Sequence, residues 1–112
     1  MAMDEQLAAR IRALVAERAT HDEVRMFGGL GFLVGGHLAV GVSGRDGLMV
    51  RAGTERYEQL LTDTEAEAFG PAGRTMRGWL HVDGEHLDDD ETLERWVDLG
   101  VSFAASLPPK QG

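Results

Sequence analysis

The apolar positions of this 112-residue chain run at helical spacing, then at strand spacing, then at helical spacing again. From Asp4 to Ala19, the residues Leu7, Ile11, Leu14, Val15 and Arg18 follow the i, i+4, i+7, i+8, i+11 rule. That spacing puts them on one stripe of a helix and predicts an amphipathic first element facing the core. Asp4 and Glu5 suit the positive end of its dipole, and Ala8, Ala9, Ala13 and Ala16 add propensity. Thr20, His21, Asp22 and Glu23 read as a polar connection.

The period then changes. Met26 to Arg51, MFGGLGFLVGGHLAVGVSGRDGLMVR, holds more than half of the fifteen glycines and three apolar runs between tight turns. Met26-Phe27 reads as a short strand or an irregular lead-in. Phe32 and Val34 point to one face of a strand and Leu33 to the other. Gly35-Gly36 has the composition of a two-residue hairpin turn with positive φ. From His37 to Val42, large Leu38, Val40 and Val42 alternate with small Ala39, Gly41 and Ser43. This pattern predicts large residues on the core side and small ones opposite, where a helix or another chain packs close. Asp46-Gly47 marks a second turn, and Leu48 to Arg51 is the next strand. The three strands form an antiparallel meander.

Helical and extended patterns alternate after that. Thr54 is a suitable N-cap for a short helix whose apolar face is Tyr57, Leu60 and Leu61. Residues 62–72 read as a loop, with Gly70-Pro71 as a breaker and Phe69 as a plug into the core. Arg74 to Val82, RTMRGWLHV, predicts a further strand with Leu80 and Val82 on one face and Trp79 and His81 on the other. Asp83-Gly84 turns the chain. Asp88, Asp89 and Asp90 can cap a long last helix over about 90–106. Its stripe is Leu93, Trp96, Val97, Gly100, Val101 and Ala104, and a glycine on a packed stripe implies close approach to the sheet. Pro108-Pro109 ends it. The expected fold is therefore α+β. It is one domain over 1–112, with its core at about 4–107 and a tail at 108–112. An antiparallel sheet, the meander plus one or two further strands, is flanked by N-terminal, short middle and long C-terminal helices.

Composition narrows the functional classes. With no cysteine, disulfides, thiolate catalysis and cysteine-bound zinc are excluded. No apolar run approaches the roughly 20 residues that span a bilayer, and the N-terminus lacks a secretory pattern, so a cytoplasmic protein is expected. The net charge of −8 and the single lysine, Lys110, disfavour a nucleic-acid coating role, whose affinity comes from Lys and Arg releasing counterions.

Four sets of residues invite chemistry. Gly28, Gly29 and Gly31 suggest a phosphate cradle, but they lie between extended segments with no helix following, which favours a turn or bulge. His81, Asp83, Glu85 and His86 could hold a divalent ion, yet the i, i+4 pairing of helical zinc motifs is absent and Asp83-Gly84 is an ordinary turn. Ser43, Ser102 and Ser106 are the only serines, and none sits in a nucleophile elbow, so no enzyme is expected. Arg25, Arg51, Arg74 and Arg77 sit in or beside strands. They either bind a carboxylate or phosphate bidentately or pair internally with the acidic excess. With Trp79 they form the candidate interaction face, since Arg and Trp are enriched among interface hot spots.

The ordered set MFGGLGF at 26–32, AVGV at 39–42, GLMVR at 47–51, GRTMRGWLHV at 73–82 and FAASLPPK at 103–110 resembles the N-terminal domain of the TfoX/Sxy family. The resemblance implies an α+β domain with an antiparallel sheet flanked by helices. It also implies a non-enzymatic interaction module. Family members with competence roles regulate DNA-uptake genes together with a cyclic-AMP receptor-type transcription factor. Those longer proteins carry a C-terminal domain beyond the segment matched here, so this chain reads as a single-domain relative. Met26, Phe27, Gly28, Gly29, Gly31, Gly73, Met76 and Gly78, with Arg51, Arg74 and Trp79, transfer as a signature, and most of them as structural residues. No cofactor or metal is implied. A protein partner, such as a transcription factor, or a homodimer is the expected company. A small-molecule or metal-binding accessory domain and a direct nucleic-acid binder are the alternatives.

Overall fold

The computed structural model describes residues 4–26, 28–44, 47–70 and 76–109. Helices α1 (Glu5–Arg18), α2 (Thr54–Asp63) and α3 (Asp90–Ser106) accompany strands β1 (Asp22–Met26), β2 (Gly29–Val34), β3 (His37–Val42), β4 (Leu48–Arg51), β5 (Glu67–Ala68) and β6 (Trp79–Val82). Among the described residues these strands form one antiparallel sheet in the order β1-β2-β3-β4-β6-β5. The expected α+β class and the three flanking helices are present.

All three helices pack on one sheet face. Leu7, Ile11 and Val15 of α1, Tyr57 and Leu60 of α2, and Leu93, Trp96, Val97 and Val101 of α3 share a core with Phe32, Val40, Val42, Leu48, Val50, Leu80 and Val82. Asp4 caps α1 by accepting from the Leu7 N–H at 3.0 Å, and Asp89 caps α3 by accepting from the Thr92 N–H at 3.1 Å. Arg10 pairs with Asp90 at 2.8 Å, while Arg18 bonds Asp98 and lies 3.5 Å from Glu94, so α1 is tied to α3 at two places. Arg12 grips Glu23 of β1 with two hydrogen bonds, at 2.6 and 3.0 Å, and this holds the Glu23 carboxyl below its ordinary pKa.

The structure corrects five readings. Asp22 and Glu23 belong to β1 rather than to a connection. The strand was hidden because it lies at the sheet edge and four of its five residues are exposed, so no apolar alternation betrays it. Thr54 is the first helical residue of α2, and Gly53, at φ 87°, occupies the cap position without a side-chain bond. The 62–72 loop contains the two-residue strand β5, too short to show a period, and Phe69 joins a second cluster rather than the main core. The strand expected over 74–82 begins only at Trp79. Gly78 takes φ 95° in a turn where Trp79 N–H donates to the Met76 carbonyl at 3.0 Å, and extended pairing cannot run through it.

The fifth correction concerns β3. The Gly35-Gly36 turn has φ of 61° and 84°, as the hairpin reading requires. Beyond it Leu38 pairs with Leu33 but Val40 pairs with Phe32, leaving Ala39 as an extra residue in a β-bulge. Strand alternation therefore resets. Ala39 and Val40 both meet the helices, and Leu38 falls on the opposite face instead of joining Val40 and Val42. α3 sits directly on this bulge. A Cβ on Gly100 would stand 2.5 Å from both the Ala39 carbonyl oxygen and Val40 Cγ1.

That contact makes an unusual sign expectable. Gly100→Ala should gain about 1 kcal/mol of helix propensity yet destabilise the protein net by about 1–3 kcal/mol, because backbone must move to admit the methyl. Thermal melting of the variant checks it, and a raised midpoint would refute the packing. Trp96→Ala should cost about 3–5 kcal/mol as a core deletion. Trp96 Nε1–H also donates to Glu65 at 3.0 Å, and this bond holds the Glu65 carboxyl below its ordinary pKa. A depressed carboxyl stabilises the fold above its unfolded-state pKa and loses that contribution as pH falls through its folded value. Trp96→Phe should therefore cost about 0.5–1 kcal/mol at neutral pH, a figure reduced for the exposure of Glu65. The difference from wild type should shrink in acid. A pH-independent difference in denaturant titrations would contradict this.

Candidate functional site: the helix-free sheet face

β-strand alternation sends Gly29, Gly31, Leu33, Leu38, Gly41, Met49, Arg51, Trp79 and His81 to the face away from the helices. Leu38, Met49 and Phe69 are buried there, with Met26, Leu33 and Trp79 packed half-buried around them. The glycines make room for these side chains. A Cβ on Gly31 would meet Leu38 Cδ1 at 2.6 Å and Met26 Sδ at 2.7 Å, and one on Gly41 would meet Met49 Cε at 2.6 Å. The small residues on this face are thus covered first by the chain's own methionines and leucines. Of the small residues expected to receive a helix or a second chain, Gly41 is covered by Met49 of the chain itself, while the bulge turns Ala39 to α3.

The phosphate-cradle glycines share that role. Gly28 turns the chain between β1 and β2 at φ 77°, and a Cβ on Gly29 would lie 1.9 Å from the Val42 carbonyl oxygen. A strand and a hairpin follow, not a helix, so no helix N-terminus faces a ligand there.

The candidate arginines are not brought together. Arg51 and Trp79 are direct cross-strand partners, and the Arg51 guanidinium lies 5.3 Å from the Trp79 ring centre and 5.5 Å from that of Phe103. Both distances fall within cation–π reach. Arg77 instead pairs with Glu58 of α2 at 2.7 Å and lies over the Tyr57 ring at 5.6 Å. Arg25 sits on β1, three strand spacings or roughly 14 Å from β4, and its partner Leu30 is a core residue, so it projects toward the helix side. Arg74, Gly73 and Phe27 lie outside the described residues. Met76 and Gly78 form the turn into β6.

Phe103 escaped the sequence reading as a site residue. It falls off the buried stripe of α3, and an aromatic off the stripe, in a chain only 6% aromatic, was the available signal. The His81–His86 segment is split by the fold. His81 is 3% exposed, 3.4 Å from Asp83 and stacked near Phe69, while His86 lies on a short 3-10 turn, 3.8 Å from Glu85. Among the described residues no group of three or more His, Asp or Glu side chains is placed to hold a metal ion. No helix there is long and apolar enough to cross a membrane.

The site thus sets half-buried Met26, Leu33 and Trp79 over a buried apolar cluster, with the Arg51 guanidinium within cation–π distance of two aromatic rings at its end. Such a surface offers van der Waals contact and a guanidinium edge. Neither the curated proteins nor the solved structures give a match. The family model of the TfoX N-terminal domain does match, over residues 4–104. It runs from the cap of α1 through the glycine-rich hairpins and the Arg51–Trp79 pair to Ala104 near the end of α3, and so nearly the whole chain is accounted for: the protein belongs to the TfoX N-terminal domain family.

Proposed function

We propose that this domain is a non-enzymatic protein-interaction module that presents its helix-free sheet face to a protein partner. The observation that carries the reading is the cross-strand Arg51–Trp79 pair at the end of this face, which it shares with half-buried Met26 and Leu33. Arginine and tryptophan dominate interface hot spots, and a pre-ordered guanidinium loses little rotamer freedom on binding. Methionine-bearing apolar surface adapts to a partner's shape. The acidic balance of the chain supports contact with protein over contact with a phosphate backbone. Membership of the TfoX N-terminal domain family supports the finer reading, a transcriptional co-regulator that works through a transcription factor.

A photo-crosslinking residue in place of Leu33 should capture a protein other than the chain itself in cells, whereas one in place of Ala9, exposed on α1, should not. Arg51→Ala combined with Trp79→Ala should weaken capture at least tenfold, since hot-spot truncations cost about 1–2 kcal/mol or more each. The far-UV circular dichroism should stay native. Equal capture from Leu33 and Ala9, or undiminished capture by the folded double variant, would end this reading.

A further inference from the structure

We propose that two copies of this chain join edge to edge through β1, forming a two-fold symmetric dimer centred on Val24. Among the described residues β1 pairs only with β2, so its outer side is a free sheet edge. Met26 and Gly29 are cross-strand partners at the closed end of the β1–β2 ladder, with two residues between them in the chain. Such a hairpin closes on a hydrogen-bonded pair, and bonding alternates from there. Asp22, Val24 and Met26 therefore direct their backbone groups to β2. Glu23 and Arg25 direct theirs outward, where a second strand can receive them.

The sequence Asp22-Glu23-Val24-Arg25-Met26 is charge-complementary to itself when antiparallel. With Val24 opposite Val24 of the second copy, Glu23 stands opposite Arg25, and Arg25 opposite Glu23. Those are the residues whose N–H and C=O groups point outward, so the charge pairs and the backbone bonds coincide. The neighbouring allowed registers set Glu23 against Glu23 or Arg25 against Arg25, and like charges directly opposite are destabilising. The strand thus selects one register. Because a two-fold pairing uses up both free edges, the contact closes on itself and does not propagate. The opposite edge of the sheet, β5, has only two residues.

Three further features fit a second copy. Val24 is the one large hydrophobic side chain exposed among the described residues, at 39%. In the proposed register it meets its own counterpart in a non-hydrogen-bonded pair, the closer of the two antiparallel spacings, at about 4.5 Å between Cα atoms. Arg25 has no ion-pair partner among the described residues, whereas Glu23 is already oriented by Arg12. And the body of α1 packs over β2 and β3, reaching β1 through the Arg12 side chain. Two such helices would stand roughly 14 Å or more apart across the axis, beyond the 8–10 Å of packed helices, so they do not collide. The contact is small and the dimer accordingly concentration-dependent. This pairing is independent of the partner reading above, since it engages the edge and leaves the Arg51–Trp79 end of the face free.

Sedimentation velocity from micromolar to millimolar protein should show a monomer–dimer equilibrium. Arg25→Glu should raise the dissociation constant about tenfold or more, since two pairs change from opposite to like charge. Glu23→Arg alone should do the same. Mixing the two variants should restore association as a heterodimer, because each reversed charge then faces its opposite. The chain has no cysteine, so Val24→Cys supplies a single thiol. At Cα spacings of about 4.4–6.8 Å a disulfide forms without strain, and Val24→Cys should become a covalent dimer under mild oxidation, well before Ser102→Cys on the exposed side of α3. A wild-type chain that stays monomeric at millimolar concentration, a dimer that Arg25→Glu leaves intact, or equal crosslinking of the two cysteine variants would each overturn the proposal.

Discussion

The approach of α3 to the bulged backbone of β3 is the constraint on which the rest of this fold depends. Gly100 lets the helix settle onto the Ala39 carbonyl, and the bulge presents Ala39 and Val40 together to receive it. Remove either feature and the helix must lift from the sheet. Once α3 is seated, Leu93, Trp96, Val97 and Val101 fall over β3 and β4, and α1 is fixed in turn by its arginines against Asp90, Glu94 and Asp98. The same extra residue at Ala39 rotates Leu38 to the far side, where it becomes the centre of the second cluster. One backbone irregularity thus serves both faces.

Much of this was legible in the chain, because the signals were local and repeated. α1 and α3 declared themselves through apolar period and acidic caps, and the β2–β3 turn through its paired glycines. What could not be read was whatever depended on pairing between distant strands. β1 is polar since its edge faces water. β5 is two residues long and exists only because β6 lies beside it. The bulge left no mark, for Leu38, Val40 and Val42 look like a regular alternation until the register with β2 is known. The candidate site was half legible for the same reason. Arg51 and Trp79 could be named as candidates, but their being opposite one another on β4 and β6 is a matter of register. That Arg25 lies on the other face, and Arg77 against α2, is also a matter of register and packing.

Arginines from α1 draw Asp90, Glu94 and Asp98 into ion pairs within the helix layer, and Arg12 reaches Glu23 of the sheet. The helix-free face carries exposed Asp22, Val24 and Glu67 at its edges, and Arg51 lies at its end near two aromatic rings.

The order of strands has a consequence for how the molecule acquires its shape. β1 to β4 are neighbours in sequence and in the sheet, so each pairing closes only a short loop at low entropic cost. The join between β4 and β6 must instead close the whole connection from 52 to 78, which includes α2 and β5. The meander and its glycine turn are thus suited to nucleate, with β6 and its short companion added afterwards. Because Trp79 is carried on β6, its place opposite Arg51 depends on that long-range join and not on any contact local in sequence.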